Sequence, residues 1–105
     1  MNTLASIKSR LPDWAKDVRL NLDATIARSS LEPRLAVGAA LAAAYAARSP
    51  ELVAAFRDPE ALDARHAEGA LTAAALMGMN NVWYPFVEMA GDPDLKTMRA
   101  ELRMN

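Results

Sequence analysis

The chain has 105 residues, 12 basic and 13 acidic side chains, a formal net charge of −1 and no cysteine. An apolar share of 52% with so little net charge excludes an intrinsically disordered chain. The lack of cysteine excludes a disulfide scaffold, a thiolate metal site and a cysteine nucleophile within these residues. The near-neutral balance gives no electrostatic footprint for nucleic acid, so no nucleic-acid partner is expected.

Alanine occurs 23 times. It is the best helix former, and no stretch alternates apolar and polar residues with period two, so the expected fold class is all-α. The longest apolar run, 35–47, has 13 residues, against roughly 20 for a membrane-spanning helix. The opening residues lack the apolar core of a signal peptide. The expected location is therefore the cytoplasm, with no membrane partner. The length predicts one all-helical domain over residues 1–105.

In chain order, a short first helix is predicted over Thr3 to Ser9, with Leu4 and Ile7 as its apolar contacts and Leu11-Pro12 as its stop. A second follows from Asp13 to Ala27. Its apolar stripe is Trp14, Val18, Leu22 and Ile26 at i, i+4 spacing. Asp13 and Asp17 suit the positive end of its dipole. Ser29 and Glu32 have capping-box spacing, with Pro33 in the first turn of a third helix over Leu31 to Arg48. Leu35, Leu41 and Tyr45 are expected to supply its bulk among many alanines. Ser49-Pro50 reads as an N-cap and first helical residue for a short fourth helix to Arg57. Asp58-Pro59 ends that helix and opens the next. A long fifth helix, from Glu60 or Asp63 to Ala90, carries a small-residue face of Leu71, Ala74, Ala75, Gly78 and Val82. Pro85 predicts a kink near Asn81, and Gly91-Asp92-Pro93 a stop. The tail from Asp94 to Asn105 holds at most one further short helix. Helices so rich in alanine bury little area each, so another chain is expected to complete part of the surface.

Candidate chemistry is sparse. His66, the only histidine, is readable as a general base or metal ligand, but no second histidine or cysteine completes a zinc set. An ordinary helix residue is the favoured reading. Glu88 lies near Trp83, Tyr84 and Phe86, yet one carboxylate beside aromatics is a weak signal, and an exposed helix end explains it. Ser29, Ser30 and Ser49 read as helix caps, with no Gly-x-Ser-x-Gly turn. The four glycines form no phosphate loop. No catalytic, cofactor-binding or metal-binding residue is therefore assigned, and no cofactor is expected. The most distinctive stretch runs from Met77 to Tyr84. Adjacent Asn80 and Asn81 inside a helix violate local propensity. They suit carbonyls freed near Pro85, a neighbouring chain or a ligand.

Three segments together resemble a known family: Leu11 to Leu22 (LPDWAKDVRLNL), Met77 to Tyr84 (MGMNNVWY) and Leu102 to Asn105 (LRMN). Their order and spacing resemble the N-terminal half of the alkyl hydroperoxidase AhpD family, within the carboxymuconolactone decarboxylase-like superfamily. The resemblance implies an all-helical half-domain of about five helices with a kinked, long fifth helix. It implies an antioxidant function, the thiol-dependent reduction of alkyl hydroperoxides. It also implies links to lipoyl-bearing proteins, dihydrolipoamide dehydrogenase and the peroxiredoxin AhpC. In that family a Cys-x-x-Cys pair, a histidine and a glutamate relay carry the chemistry in a second half, beyond the Leu-Arg-Met-Asn block. No position here matches them, so no catalytic role passes to His66 or Glu88, and these residues alone are expected to be inactive. The expected partner is a Cys-bearing C-terminal half or further copies of the chain. A non-catalytic oligomerisation or partner-binding module is the alternative, and cysteine-free chemistry at His66 a weaker third.

Overall fold

The computed structural model of the chain describes residues 2–98, with side chains from Leu4 onward. The Leu102 to Asn105 segment lies outside the described residues. Among those described there are six α-helices and no strand: α1 (Asn2–Ser9), α2 (Lys16–Leu22), α3 (Pro33–Ala46), α4 (Pro50–Phe56), α5 (Ala64–Ala90) and α6 (Pro93–Thr97). A 3-10 turn, Asp13–Ala15, leads into α2, and a π turn, Asp23–Ala27, extends it. The helix expected over 13–27 thus forms with its winding changed at both ends. The tail contributes the short α6.

Local chemistry sets most of the boundaries. Ser49 Oγ accepts from the Leu52 N–H at 3.2 Å, and Asp63 Oδ1 from the His66 N–H at 2.9 Å, capping α4 and α5. Gly91 takes a left-handed conformation (φ 68°) to end α5. Arg48 does the same at the end of α3 (φ 59°) without being glycine. The Ser49 N–H reaches the Ala44 carbonyl at 3.2 Å and the Arg48 N–H the Tyr45 carbonyl at 3.0 Å. This is a Schellman closure that turns the chain directly into α4.

Two expected starts are corrected. Ser29 and Glu32 do not form a capping box: Ser29 Oγ accepts from the Leu31 N–H, and α3 begins only at Pro33, with no side-chain cap. The residue before a proline is held extended, and Glu32 has ψ 139°, so the helix cannot begin upstream of Pro33. Asp58-Pro59 does not open α5 either. Asp58 Oδ1 accepts from the Glu60 N–H to close a turn, and α5 starts at Ala64.

The core gathers on α3. Val37, Leu41 and Ala44 pack with Phe56 of α4, Leu62 of the connecting loop and Ala67 of α5. Ile7, Ile26, Leu52 and Leu71 close its edges. Leu41 is wholly buried, whereas Leu35 and Tyr45 are half exposed. At 100° per residue those two fall off the Val37–Leu41–Ala44 stripe, which corrects the expected bulk of α3. The α2 stripe is likewise only half used. Leu22 and Ile26 are partly buried, but Trp14 is 88% exposed and Val18 53%. Ala15 is buried instead of Trp14. Within the described residues α2 meets only α1 and its two flanking turns, so nothing covers its outer end.

Ion pairs fasten the periphery. Lys8 Nζ meets Asp23 Oδ1 at 2.6 Å, tying α1 to the π turn. Arg10 pairs with Glu51, tying the end of α1 to the start of α4. Arg19 Nη2 donates to the carbonyls of Leu11 and Pro12, each at 3.1 Å, and fixes the loop before α2.

The shape is open. The radius of gyration is 17.3 Å, against about 13 Å for a compact domain of this length. The accessible surface is 7827 Å², against roughly 5,800 Å² expected from the mass. Two unequal helices explain much of this. α5, with 27 residues, spans about 40 Å, and α3, with 14, about 21 Å. The helices run side by side in the same direction, residues 34–39 of α3 alongside 62–70 and residues 42–46 alongside 73–82. α5 therefore extends well past the end of α3, and it stays helical through Pro85. Replacing Leu41 with alanine is expected to destabilise the chain by roughly 2–5 kcal/mol. Trp14→Ala is expected to change stability by no more than about 0.5 kcal/mol. Urea denaturation followed by circular dichroism measures both.

Candidate functional site

Small side chains make the main concavity. Where α3 and α5 lie together, Ala42, Ala43 and Ala46 face Ala74 and Gly78, and the corner at Arg48, Ser49 and Pro50 closes one end. The result is an open groove of about 1390 Å³. Its walls are mostly apolar, with Met77, Met79, Val82 and Trp83 on the α5 side and Tyr45 on the α3 side. Asn81 places an amide in this apolar lining. An apolar concavity with few polar groups is the usual form of a binding surface.

The distinctive stretch from Met77 to Tyr84 is thus brought to the groove. Asn81 is exposed there and Asn80 half-buried. The Trp83 ring lies 6.2 Å from that of Phe86, tilted by 38°, within the favourable range for an aromatic pair. Trp83 is half-buried, while Tyr84 and Phe86 are 60% and 51% exposed.

The titratable candidates are not brought together. His66 lies at the opposite end of the α3–α5 contact, beside a smaller cavity of about 340 Å³ that Arg34 and Arg65 also line. Its Nδ1 is 2.6 Å from Asp63 Oδ1. Asp63 therefore both caps α5 and holds the imidazole. Glu88 sits 22 residues further along the same helix, about 33 Å away by helical rise, and faces Lys96 Nζ at 3.5 Å. Histidine and glutamate cannot act on one substrate at that separation. Among the described residues no three metal-ligating side chains converge. No helix there is long and apolar enough to cross a membrane. Sequence reasoning missed the groove contributions of Tyr45 and Arg48, which depend on the left-handed corner at Arg48. Its only signal was a helix stop without glycine.

No protein-family model matches the sequence. Individual proteins do. The chain is 48% identical over 105 residues to the alkyl hydroperoxide reductase AhpD of Rhodospirillum centenum, covering 98% of this chain and 56% of that protein. It is 47% identical over 109 residues to the AhpD of Methylocella silvestris, covering 97% and 58%. It is 44% identical over 108 residues to that of Bradyrhizobium sp. strain BTAi1, covering 98% and 58%. The chain, all-helical over its described residues, is thus similar to the N-terminal half of these relatives. It spans somewhat more than half their length.

Among the described residues two carboxyls are perturbed. The backbone N–H and ring of His66 hold Asp63 below its ordinary value, and the hydrogen bond from Lys8 lowers Asp23. A carboxyl depressed in the folded state binds fewer protons there than when unfolded. Its contribution is complete above the ordinary value, about 4, and is lost as pH falls through the folded value. Helicity is expected to hold from neutral pH down to about pH 4 and to decline below it. Asp63→Asn keeps a capping oxygen but removes the charge. Circular dichroism against pH should therefore show a shallower acid transition for that variant.

Proposed function

We propose that this chain is the scaffold half of an AhpD-type antioxidant protein that reduces alkyl hydroperoxides with thiols. The observation that carries the reading is 41–48% identity to proteins named alkyl hydroperoxide reductase AhpD across 97–98% of the chain. The reacting sulfurs are not among its 105 residues. They are assigned to the part of the relatives that lies beyond the match. There a thiolate attacks the peroxide oxygen, the O–O bond breaks, and the alkoxide leaves and takes a proton as an alcohol. The second thiol then displaces water from the sulfenic acid, closing a disulfide that an external dithiol reduces.

This chain's own part is structural. The α3–α5 pair provides a rigid, largely apolar wall against which the redox segment can pack and exclude water. We assign residues 1–105 to one helical domain, functioning in the cytoplasm, with lipoyl-bearing proteins and AhpC as partners of the completed protein. The half-exposed Leu35 and Tyr45 and the open Trp14 face favour a second reading, a non-catalytic module that oligomerises or binds a partner.

The two readings part on assay. Alone, the chain should not consume cumene hydroperoxide with dihydrolipoamide. Co-expressed with the Cys-bearing remainder of the Rhodospirillum centenum relative, it should give turnover that thiol alkylation abolishes. No gain on co-expression, together with a defined homo-oligomer by light scattering, would instead establish the module.

A further inference from the structure

The second half of α5 carries an apolar stripe that is not its contact with α3. That contact uses Ala67, Ala70, Leu71 and Ala74, with Leu71 and Ala70 packed at the core edge. About a quarter-turn round the helix, at 100° per residue, lie Met79, Val82, Phe86 and Met89. Their spacing is three, four and three residues, the repeat by which one helix receives the knobs of another. All four are open, from Met79 at 37% to Val82 at 72% and Met89 at 82%. The same register read backwards gives Ala75, then Thr72 and Glu68, so the stripe becomes polar two turns above Met79. Its upper end, Met79 and Val82, borders the α3–α5 groove. Its lower end, Phe86 and Met89, lies on the part of α5 that outruns α3.

We propose that Met79, Val82, Phe86 and Met89 form a docking seam for one amphipathic helix of at least three turns. That helix would be supplied by the segment the relatives carry beyond the matched region, which is about two-fifths of their length. The proposal rests on the AhpD reading above and adds to it which face is covered and by what. Gly91 and α6 turn the backbone at the lower end of α5, where Lys96 Nζ meets Glu88 at 3.5 Å. Glu88 lies about 140° round the helix from the seam at 100° per residue, so this contact leaves the seam open. The seam spans 11 residues, about 15 Å. Gly78, Trp83 and Pro85 flank it, and none of them carries a charge. The partner helix is thus recognised by apolar residues at three- and four-residue spacing rather than by ion pairs. The Trp83–Phe86 ring contact already holds one knob in place.

The test uses the chain co-expressed with the C-terminal remainder of the Rhodospirillum centenum protein, followed by a sedimentation-velocity dilution series. The seam is exposed in the chain alone, so Val82→Glu and Met89→Glu should leave its circular dichroism unchanged. In the complex each should weaken association by about a hundredfold, as for a central apolar anchor. Glu68→Lys, on the same line but above the seam, should stay within about twofold. If the wild-type complex forms and both seam variants bind within twofold of it, the seam is wrong and the AhpD reading stands. If no wild-type complex forms, that reading fails and the seam with it. A homodimer of the chain alone that Val82→Glu dissolves would overturn the choice of occupant.

Discussion

The close approach of α3 and α5 through small side chains is the contact on which the rest of the structure depends. It brings Val37, Leu41 and Ala44 against Ala67 and Leu62, and it holds Phe56 beneath them. A Cβ built on Gly38 would stand 4.0 Å from Leu62 Cδ1, so even the glycine in α3 sits at ordinary contact distance from the loop. The helices run the same way, which requires a connection from the end of one to the start of the other. α4 and the loop at residues 57–63 provide it. The Arg48 corner and the Ser49 cap let that connection begin immediately at the end of α3.

The same contact limits what the chain can bury. Alanine lets helices come together but removes little area from water when it does so. The buried set among the described residues is short, and four of its ten members are alanine: Ala15, Ala36, Ala44 and Ala67 join Leu4, Val37, Leu41, Phe56, Leu62 and Val87. Meanwhile large apolar groups remain outside, among them Trp14, Val82 and Met89. Among the described residues alanine is taken out of water while tryptophan is left in it, so the apolar free energy still available lies in the exposed groups.

Helix boundaries were legible in the sequence because they are local. Ser49-Pro50, Asp63 and Gly91 act through hydrogen bonds and dihedral angles within a few residues, and the helices they bound fall where expected. The exceptions are local too. Glu32 was assigned to a cap by its spacing from Ser29, and the steric rule for a residue preceding proline outweighed that spacing. Burial was less legible. The Trp14–Val18–Leu22–Ile26 periodicity is present, but periodicity states which residues share a face and not whether this chain covers that face. For α2 only the lower half is covered. Leu35 and Tyr45 are expected to supply the bulk of α3, and their angular position on it leaves them half exposed. The candidate site was legible in part. The Met77 to Tyr84 stretch does reach the groove, while its other wall depends on the α3–α4 corner.

The asparagine pair is explained by position along α5. Up to Ala74 the helix is supported by α3, and small apolar residues suffice for that contact. Near Asn80 and Asn81 it passes the end of α3, with Pro85 following one turn later. Two residues of low helix propensity and a proline in one stretch would fray an isolated helix end. In this chain the stretch continues for another turn to Gly91, with Val87 buried and Trp83 half-buried within it. Local propensity is overridden where a helix has contacts that matter more. The apolar residues interleaved with the pair, from Met79 to Met89, are the groups able to make such contacts. The weakest helix-forming stretch of α5 and its largest exposed apolar residues therefore coincide, so a helix docked on the proposed seam would support α5 where its own propensity is lowest.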